Sequence, residues 1–168
     1  NLALSATISG PTSVCQNSNE FFTIAGLDGN GQYTFTYIDN LGNEIEISTT
    51  GGDDSVNVQI DTNTLGTISY QLISVTASNG EETTMSETLE ITVTELPNSD
   101  FTFFDNNLCS GQTISFSASV NGLNYTWNFG DGTTSTLRNP NHIYNVTGCG
   151  TQTFNVTLTV TDSNGCSD

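Results

Sequence analysis

Apolar residues along this chain fall in short stretches in which every second position is polar. In one such stretch, Phe154, Val156, Leu158 and Val160 are separated by single Asn and Thr residues. A period of two places all the apolar side chains of a strand on one face, whereas a helix requires a period of 3.6. The pattern therefore predicts an all-β protein in which each strand buries one face.

Seven stretches of this kind, separated by turns rich in Gly, Asn or Pro, occupy residues 1–96. The second of them is predicted to continue from Cys15 through Phe22 and Ile24. Seven short strands joined by short turns are typical of an immunoglobulin-like β-sandwich. The predicted strands contain, in chain order, residues 2–8, 22–24, 33–37, 45–47, 56–60, 68–76 and 89–93.

Residues 97–99 are predicted to form a short linker, and residues 100–168 a second β-sandwich. The two domains are distant copies, because residues 75–80 (VTASNG) match residues 160–165 (VTDSNG). After this turn the first domain adds one more strand, whereas the second reaches Asp168 within three residues. We therefore expect the second sandwich to lack its last strand, and the chain to be a mature or excised fragment of a longer protein.

The second domain contains the most distinctive strand of the chain. Tyr125, Trp127 and Phe129 alternate with polar residues, and residues 130–132 (GDG) follow at once. Three rings on one face predict that Trp127 lies in the core between two sheets. Gly130, Asp131 and Gly132 are predicted to form the turn, because glycine adopts backbone angles that other residues avoid.

This region resembles the PKD domain, an immunoglobulin-like module, through its W-x-F-G-D-G motif and the downstream N-P-x-H-x-Y at residues 139–144. Residues 9–15 and 108–112 are also similar to repeats of giant surface proteins of Bacteroidota, including gliding-motility adhesins secreted by the type IX system. The resemblance implies a non-catalytic, extracellular module at the cell surface, with neighbouring repeats of the same chain as its nearest partners. Surface polysaccharide or other cell-surface proteins are further partners that it implies.

The charge balance excludes several other classes of function. The chain has 18 acidic residues and one basic residue, Arg138, so the formal net charge is −17. Nucleic-acid binding requires Lys and Arg for phosphate contacts, and an anionic membrane would repel this surface. No run of about 18 apolar residues is present, so we expect no insertion into a membrane.

Four cysteines and the absence of a C-x-x-C pair favour disulfide bonds over zinc. In a seven-strand sandwich, the first and fifth inter-strand loops share one pole, and the last turn lies at the other. This arrangement favours Cys109–Cys149 within the second domain and Cys15–Cys166 across the junction. The pairing Cys109–Cys166 remains an alternative. A bond across the junction would stiffen the two domains into a rod.

No catalytic motif is present in the sequence, and the chain is predicted not to be an enzyme. The paired acids Asp53 and Asp54 lie in a predicted Gly-Gly-Asp-Asp turn, and neighbours on a turn do not form a glycosidase pair. Asp54-Ser55-Val56 matches the short D-[ST]-aliphatic O-glycosylation motif of Bacteroidota, which makes Ser55 a candidate modification site.

Three functional hypotheses follow from the residues and the resemblance. The first is a pair of structural modules of a long surface adhesin or filament, which provide reach and stiffness for attachment or gliding. The second is an accessory region of a secreted protease or polysaccharide hydrolase. The third is a carbohydrate-binding module, which would need exposed aromatic residues, whereas here the rings are predicted to face inward.

Calcium is the one cofactor that the resemblance implies, since some tandem β-sandwich proteins bind it near loops and junctions. The candidate ligands are Asp53, Asp54, Asp100 and Asp162. If the chain binds calcium, its melting temperature will be higher in millimolar calcium than in chelator, because a ligand that binds only the folded state stabilises it. Equal melting temperatures by differential scanning calorimetry would contradict this hypothesis.

Overall fold

The computed structural model describes residues 3–27, 31–104, 111–121, 123–145 and 152–168. These residues form strands and turns and contain no helix, so the all-β prediction is confirmed. The chain divides into two units, Asn1–Glu95 (unit 1) and Leu96–Asp168 (unit 2). Among the described residues there is no helix long and apolar enough to span a membrane.

Unit 1 is a sandwich of a three-stranded sheet and a five-stranded sheet. Its strands are β1 (Ala6–Ser9), β2 (Ser13–Cys15), β3 (Phe21–Gly26), β4 (Tyr33–Ile38), β5 (Glu44–Ser48), β6 (Ser55–Gln59), β7 (Gly66–Ala77) and β8 (Glu82–Thr94). The three-stranded sheet has the order β1-β3-β6, and the five-stranded sheet has the order β2-β8-β7-β4-β5. All neighbours are antiparallel except β2 and β8, which are parallel.

The prediction that one strand continues from Cys15 to Ile24 is wrong. Cys15 ends β2 in the five-stranded sheet, whereas Ile24 lies on β3 in the three-stranded sheet. Between them Asn17 has a φ of 60°, and Ser18 donates from its backbone N and its Oγ to the carbonyl of Cys15. A turn in the left-handed region cannot continue a strand, so the chain changes sheets at this point.

The core of unit 1 consists of aromatic and aliphatic side chains from both sheets. Phe22 on β3 and Phe35 on β4 are fully buried. Phe22 meets Tyr37 edge-on at 5.9 Å and Tyr70 at 4.4 Å between ring centroids. These contacts connect the two sheets. They form because the alternating pattern places the apolar side chains of each strand on the face that meets the other sheet.

The described residues of unit 2 form two three-stranded antiparallel sheets. Its strands are β9 (Phe101–Phe104), β10 (Thr113–Ala118), β11 (Asn124–Asn128), β12 (Thr134–Ser135), β13 (Asn141–Ile143) and β14 (Thr157–Thr161). The sheet orders are β13-β10-β9 and β12-β11-β14. After β14 and its turn, Thr161 bridges Ser167 and Val160 exchanges two backbone hydrogen bonds with Asp168. Within the described residues, these bonds occupy the place that the long strand β8 fills in unit 1.

Trp127 lies at the centre of unit 2 and is fully buried. Its ring is 5.0 Å from that of Phe101 on β9, and 5.6 Å from that of Phe116 on β10. Its Nε1 donates to the carbonyl of Leu137 at 2.8 Å. The side chain therefore contacts both sheets and anchors the loop that leads from β12 to β13.

Replacement Trp127→Ala is expected to lower the free energy of unfolding of unit 2 by about 3–5 kcal/mol, because it leaves a cavity and an unpaired carbonyl. Phe104→Ala is the matched control, since that ring is 75% exposed, and its effect should stay within about 0.5 kcal/mol. Urea unfolding followed by circular dichroism measures both. Equal effects of the two variants would contradict the placement of Trp127.

Candidate functional site

The strand that carries Trp127 ends in a tight turn that requires glycine. Gly130 has a φ of 78°, and a Cβ at this position would lie 2.6 Å from the carbonyl oxygen of Asn155. The side chain of Asn128 accepts a hydrogen bond from the backbone N of Gly130 at 2.9 Å. The turn therefore presses against the segment that precedes β14, and any larger residue at 130 would separate them.

Asp131, at the tip of this turn, makes three hydrogen bonds through its carboxylate. Oδ1 accepts from the backbone N of Thr133 at 3.0 Å and from its Oγ at 2.6 Å. Oδ2 is 2.7 Å from Nε2 of His142 on β13. Asp131 is thus more than a turn residue, because it connects the turn after β11 to a strand of the other sheet.

His142 is also in contact with two aromatic rings. Its ring stacks on Phe129 at 4.2 Å with an interplanar angle of 4°, and meets Tyr144 edge-on at 4.4 Å. Tyr144 stacks in turn on Phe154 and donates its hydroxyl to the carbonyl of Phe129 at 2.8 Å. We call Phe129, Asp131, His142 and Tyr144 the clasp of unit 2.

The clasp changes the ionisation of its acidic groups. Hydrogen bonds from the Oγ and backbone N of Thr133, together with His142, lower the pKa of Asp131 to about 2. Burial, followed by the charge of Asp131, raises the pKa of Tyr144. The side chains of Asp131 and His142 are 19% and 13% exposed, although the backbone of Asp131 lies at the surface. The pair is therefore partly screened by solvent.

The clasp has the Asp–His pair of a hydrolase triad but not its geometry. The hydroxyl nearest the pair, Oγ of Thr133, donates to the same carboxylate that holds His142. A nucleophile must instead donate to the histidine. Two aromatic rings also contact His142, Phe129 by stacking and Tyr144 edge-on. This arrangement supports a structural role, namely joining the two sheets of unit 2.

The pairing of Asp131 with His142 is the feature that sequence reasoning missed. The sequence indicated Asp131 as a turn residue and His142 as part of N-P-x-H-x-Y, without connecting them. The one available signal was weak: an acid and the single histidine of the chain occur in two neighbouring motifs, eleven residues apart. That spacing does not by itself predict the contact, because β11 pairs with β12 while His142 lies on β13 in the other sheet.

Two of the four aspartates predicted to bind calcium belong to unit 1 and two to unit 2. Asp53 and Asp54 are exposed residues before β6 of unit 1. In unit 2, Asp100 is bound to Asn98, and Asp162 accepts two backbone N–H groups of its own turn. Within the described ranges, no three His, Cys, Asp or Glu residues converge as a metal site. Calcium binding at these residues remains a prediction.

Among the other predicted site residues, Ser55 is exposed at the start of β6, opposite Ala25. Its modification remains a prediction. Cys15 and Cys166 are each disulfide-bonded, and Cys166 is buried. Cys109 and Cys149 lie outside the described residues, so the predicted pairs Cys109–Cys149 and Cys15–Cys166 remain predictions.

Arg138, the single cation of the chain, binds backbone carbonyls of the described residues. Its Nε donates to the carbonyl of Val120 at 2.8 Å, and a terminal guanidinium nitrogen donates to that of Ala118 at 3.3 Å. Its own carbonyl accepts from the backbone N of Ala118. The side chain thus secures the loop between β12 and β13 against β10 and the segment that follows it.

Replacement Asp131→Asn should destabilise unit 2 at pH 7 by about 1 kcal/mol, a value below the usual range for hydrogen bonds to charged groups because solvent screens the pair. The folded pKa lies below the unfolded value, so the charged group stabilises unit 2 above about pH 4. This contribution disappears as the pH falls from 4 towards 2.

Urea unfolding followed by the fluorescence of Trp127, the single tryptophan of the chain, measures unit 2 selectively. The difference in the free energy of unfolding between Asp131→Asn and wild type should become smaller as the pH falls from 4 to 2. Asp54→Asn, which removes the same charge from an exposed position of unit 1, is the control. A gap that stays constant with pH would contradict the role assigned to Asp131.

Comparisons with known proteins agree with this architecture. A family model described as a PKD-like domain matches residues 2–91, and one described as a PKD domain matches residues 94–168. A 43-residue segment is 56% identical to part of Collagenase ColA from Bacillus cereus, and covers 26% of this chain and 4% of that protein. The chain thus spans only a small part of the collagenase.

Superposition on the crystal structure of the FN1–FN3 domains of chicken CNTN1 covers 93% of this chain and 63% of that chain. The sequence identity is 15% and the TM-score is 0.33, which is too low to support a conclusion. The family models cover both sandwiches and include the turn and the clasp described above. The chain therefore belongs to the PKD domain family, as a PKD-like domain followed in tandem by a PKD domain.

Proposed function

We propose that this chain is a pair of non-catalytic structural modules of a long, secreted cell-surface adhesin or filament, and gives it reach and stiffness. The observation that supports this proposal is the internal use of the reactive side chains of unit 2. Trp127 fills the core, while the carboxylate of Asp131 binds both His142 and Thr133. Modules in which such side chains stabilise the fold are suited to a role as mechanically strong spacers between other parts of a protein.

An extracellular location is supported by two further observations. Cys15 and Cys166 are in disulfide bonds, which persist in oxidising compartments outside the cytoplasm. The formal charge of −17 gives self-repulsion that keeps neighbouring chains soluble and apart. The similarity of residues 9–15 and 108–112 to Bacteroidota adhesin repeats supports the finer proposal of an adhesin of the gliding-motility type.

Stiffness is proposed to come from a disulfide between the modules. The state of Cys15 and Cys166 is compatible with a Cys15–Cys166 bond, and equally with bonds from each to Cys109 or Cys149. Peptide mapping without reduction distinguishes these pairings. A peptide that joins Cys15 to Cys166 is expected, and one that joins Cys109 to Cys166 would contradict the proposal.

The proposed spacer role can be tested in the full-length protein on its native cell. Residues 1–168 are replaced by two unrelated, soluble β-sandwich domains of similar total length, and cell attachment is counted under flow. A spacer tolerates this exchange, so attachment should stay within twofold of wild type. Deletion of the same residues, which shortens the protein, is the matched control and should reduce attachment. Loss of attachment after the exchange would show that these modules bind a ligand themselves.

A second candidate function is an accessory region of a secreted protease. The 43-residue match to Collagenase ColA favours it, because it places a related module within that protein. Co-sedimentation of the purified chain with insoluble collagen fibrils tests this candidate. Saturable binding would favour the accessory region, and absence of binding together with a tolerated exchange would favour the adhesin.

A further inference from the structure

The turn that follows β14 is organised around one carboxylate. Oδ1 of Asp162 accepts hydrogen bonds from the backbone N of Asn164 and of Cys166, each at 2.8 Å. The backbone N of Asp162 donates to the carbonyl of Cys166 at 2.9 Å. Asp162 therefore binds both polar backbone groups of a cysteine that is in a disulfide bond.

The residues that follow Cys166 also restrain its position. Thr161 forms a β-bridge with Ser167, and their hydroxyls are 2.8 Å apart. Val160 and Asp168 exchange two backbone hydrogen bonds. Cys166 itself is 1% exposed. The cysteine thus has little freedom of position or direction relative to β14.

The corresponding turn of unit 1 shows that this carboxylate is not needed for the turn itself. There Ala77 stands in place of Asp162, and Glu81 in place of Cys166. The backbone closes in the same way, because the N of Ala77 donates to the carbonyl of Glu81 at 2.9 Å. The N of Glu81 is bound by the side chain of Asn79 instead. Within this chain, the aspartate occurs in the copy of the turn that carries the cysteine.

We propose that Asp162 is a positioning residue for the disulfide of Cys166, and fixes the cysteine before the bond forms. In the reaction two thiols lose two protons and two electrons to an oxidant of the disulfide class, such as oxidised glutathione, which is reduced to two thiols. A cysteine already held in position loses less conformational freedom when the bond closes, so the equilibrium shifts towards the oxidised form. The proposal does not depend on which cysteine is the partner of Cys166.

The test measures the equilibrium between the oxidised and reduced forms of Cys166 in glutathione buffers, by differential alkylation and peptide mass spectrometry. Asp162→Ala removes both acceptor bonds, and the equilibrium constant should fall about tenfold, or about 30 mV. Asp162→Asn keeps an oxygen that accepts both bonds, so it should stay within twofold of wild type. Ser163→Ala, in the exposed part of the same turn, is the matched control and should have no effect.

Two results would overturn the proposal. The first is an equilibrium constant for Asp162→Ala within twofold of wild type. The second is an equal fall of the equilibrium constant in Asp162→Asn. It would mean that the charge of Asp162, rather than its two hydrogen bonds, favours the disulfide. Fluorescence of Trp127 verifies that unit 2 of each variant is folded.

Hydrogen exchange on the wild-type protein gives a second test that needs no substitution. If Asp162 positions Cys166 before the bond forms, the amide of Cys166 should stay protected after reduction. The amide of Val160, which is bound to Asp168, reports on whether this part of unit 2 remains folded. Protection that is lost at Cys166 but retained at Val160 would show that the disulfide orders the turn, which would contradict the proposal.

Discussion

In the described part of unit 2, the fold depends on the packing of aromatic rings between two three-stranded sheets. Strands as short as β12 and β13 cannot form a stable sheet through backbone hydrogen bonds alone. The rings of Phe101, Phe116 and Phe129 surround Trp127 and remove a large apolar area from water. These rings form the centre of the core that the two sheets share.

The same aromatic side chains also position the loops through their polar ends. Trp127 donates to the carbonyl of Leu137, Tyr125 to that of Val120, and Tyr144 to that of Phe129. A ring buried in the core with one polar atom at its edge fixes the adjacent backbone at little additional cost in entropy. These hydrogen bonds therefore hold short irregular segments of unit 2 in place without additional secondary structure.

Most of the fold could be predicted from the alternation of apolar and polar residues, because a period of two has one structural meaning in segments of this length. The place of Trp127 follows from the same pattern. The separation of β2 from β3 could not be predicted in this way, since the three residues of β2 carry no periodic signal and their parallel pairing with β8 is a tertiary contact. The bond between Asp131 and His142 likewise depends on how two sheets meet, which local sequence does not encode.

Arg138 gives unit 2 an unusual biochemical property. A trypsin-like protease has one bond to cut in the whole chain, after Arg138. The guanidinium that such a protease must bind is occupied by the carbonyls of Val120 and Ala118. Cleavage then requires this part of the domain to open first, so its rate follows the population of the open form when opening and closing are fast. The native chain thus contains its own proteolytic reporter of local unfolding, at a single defined peptide bond.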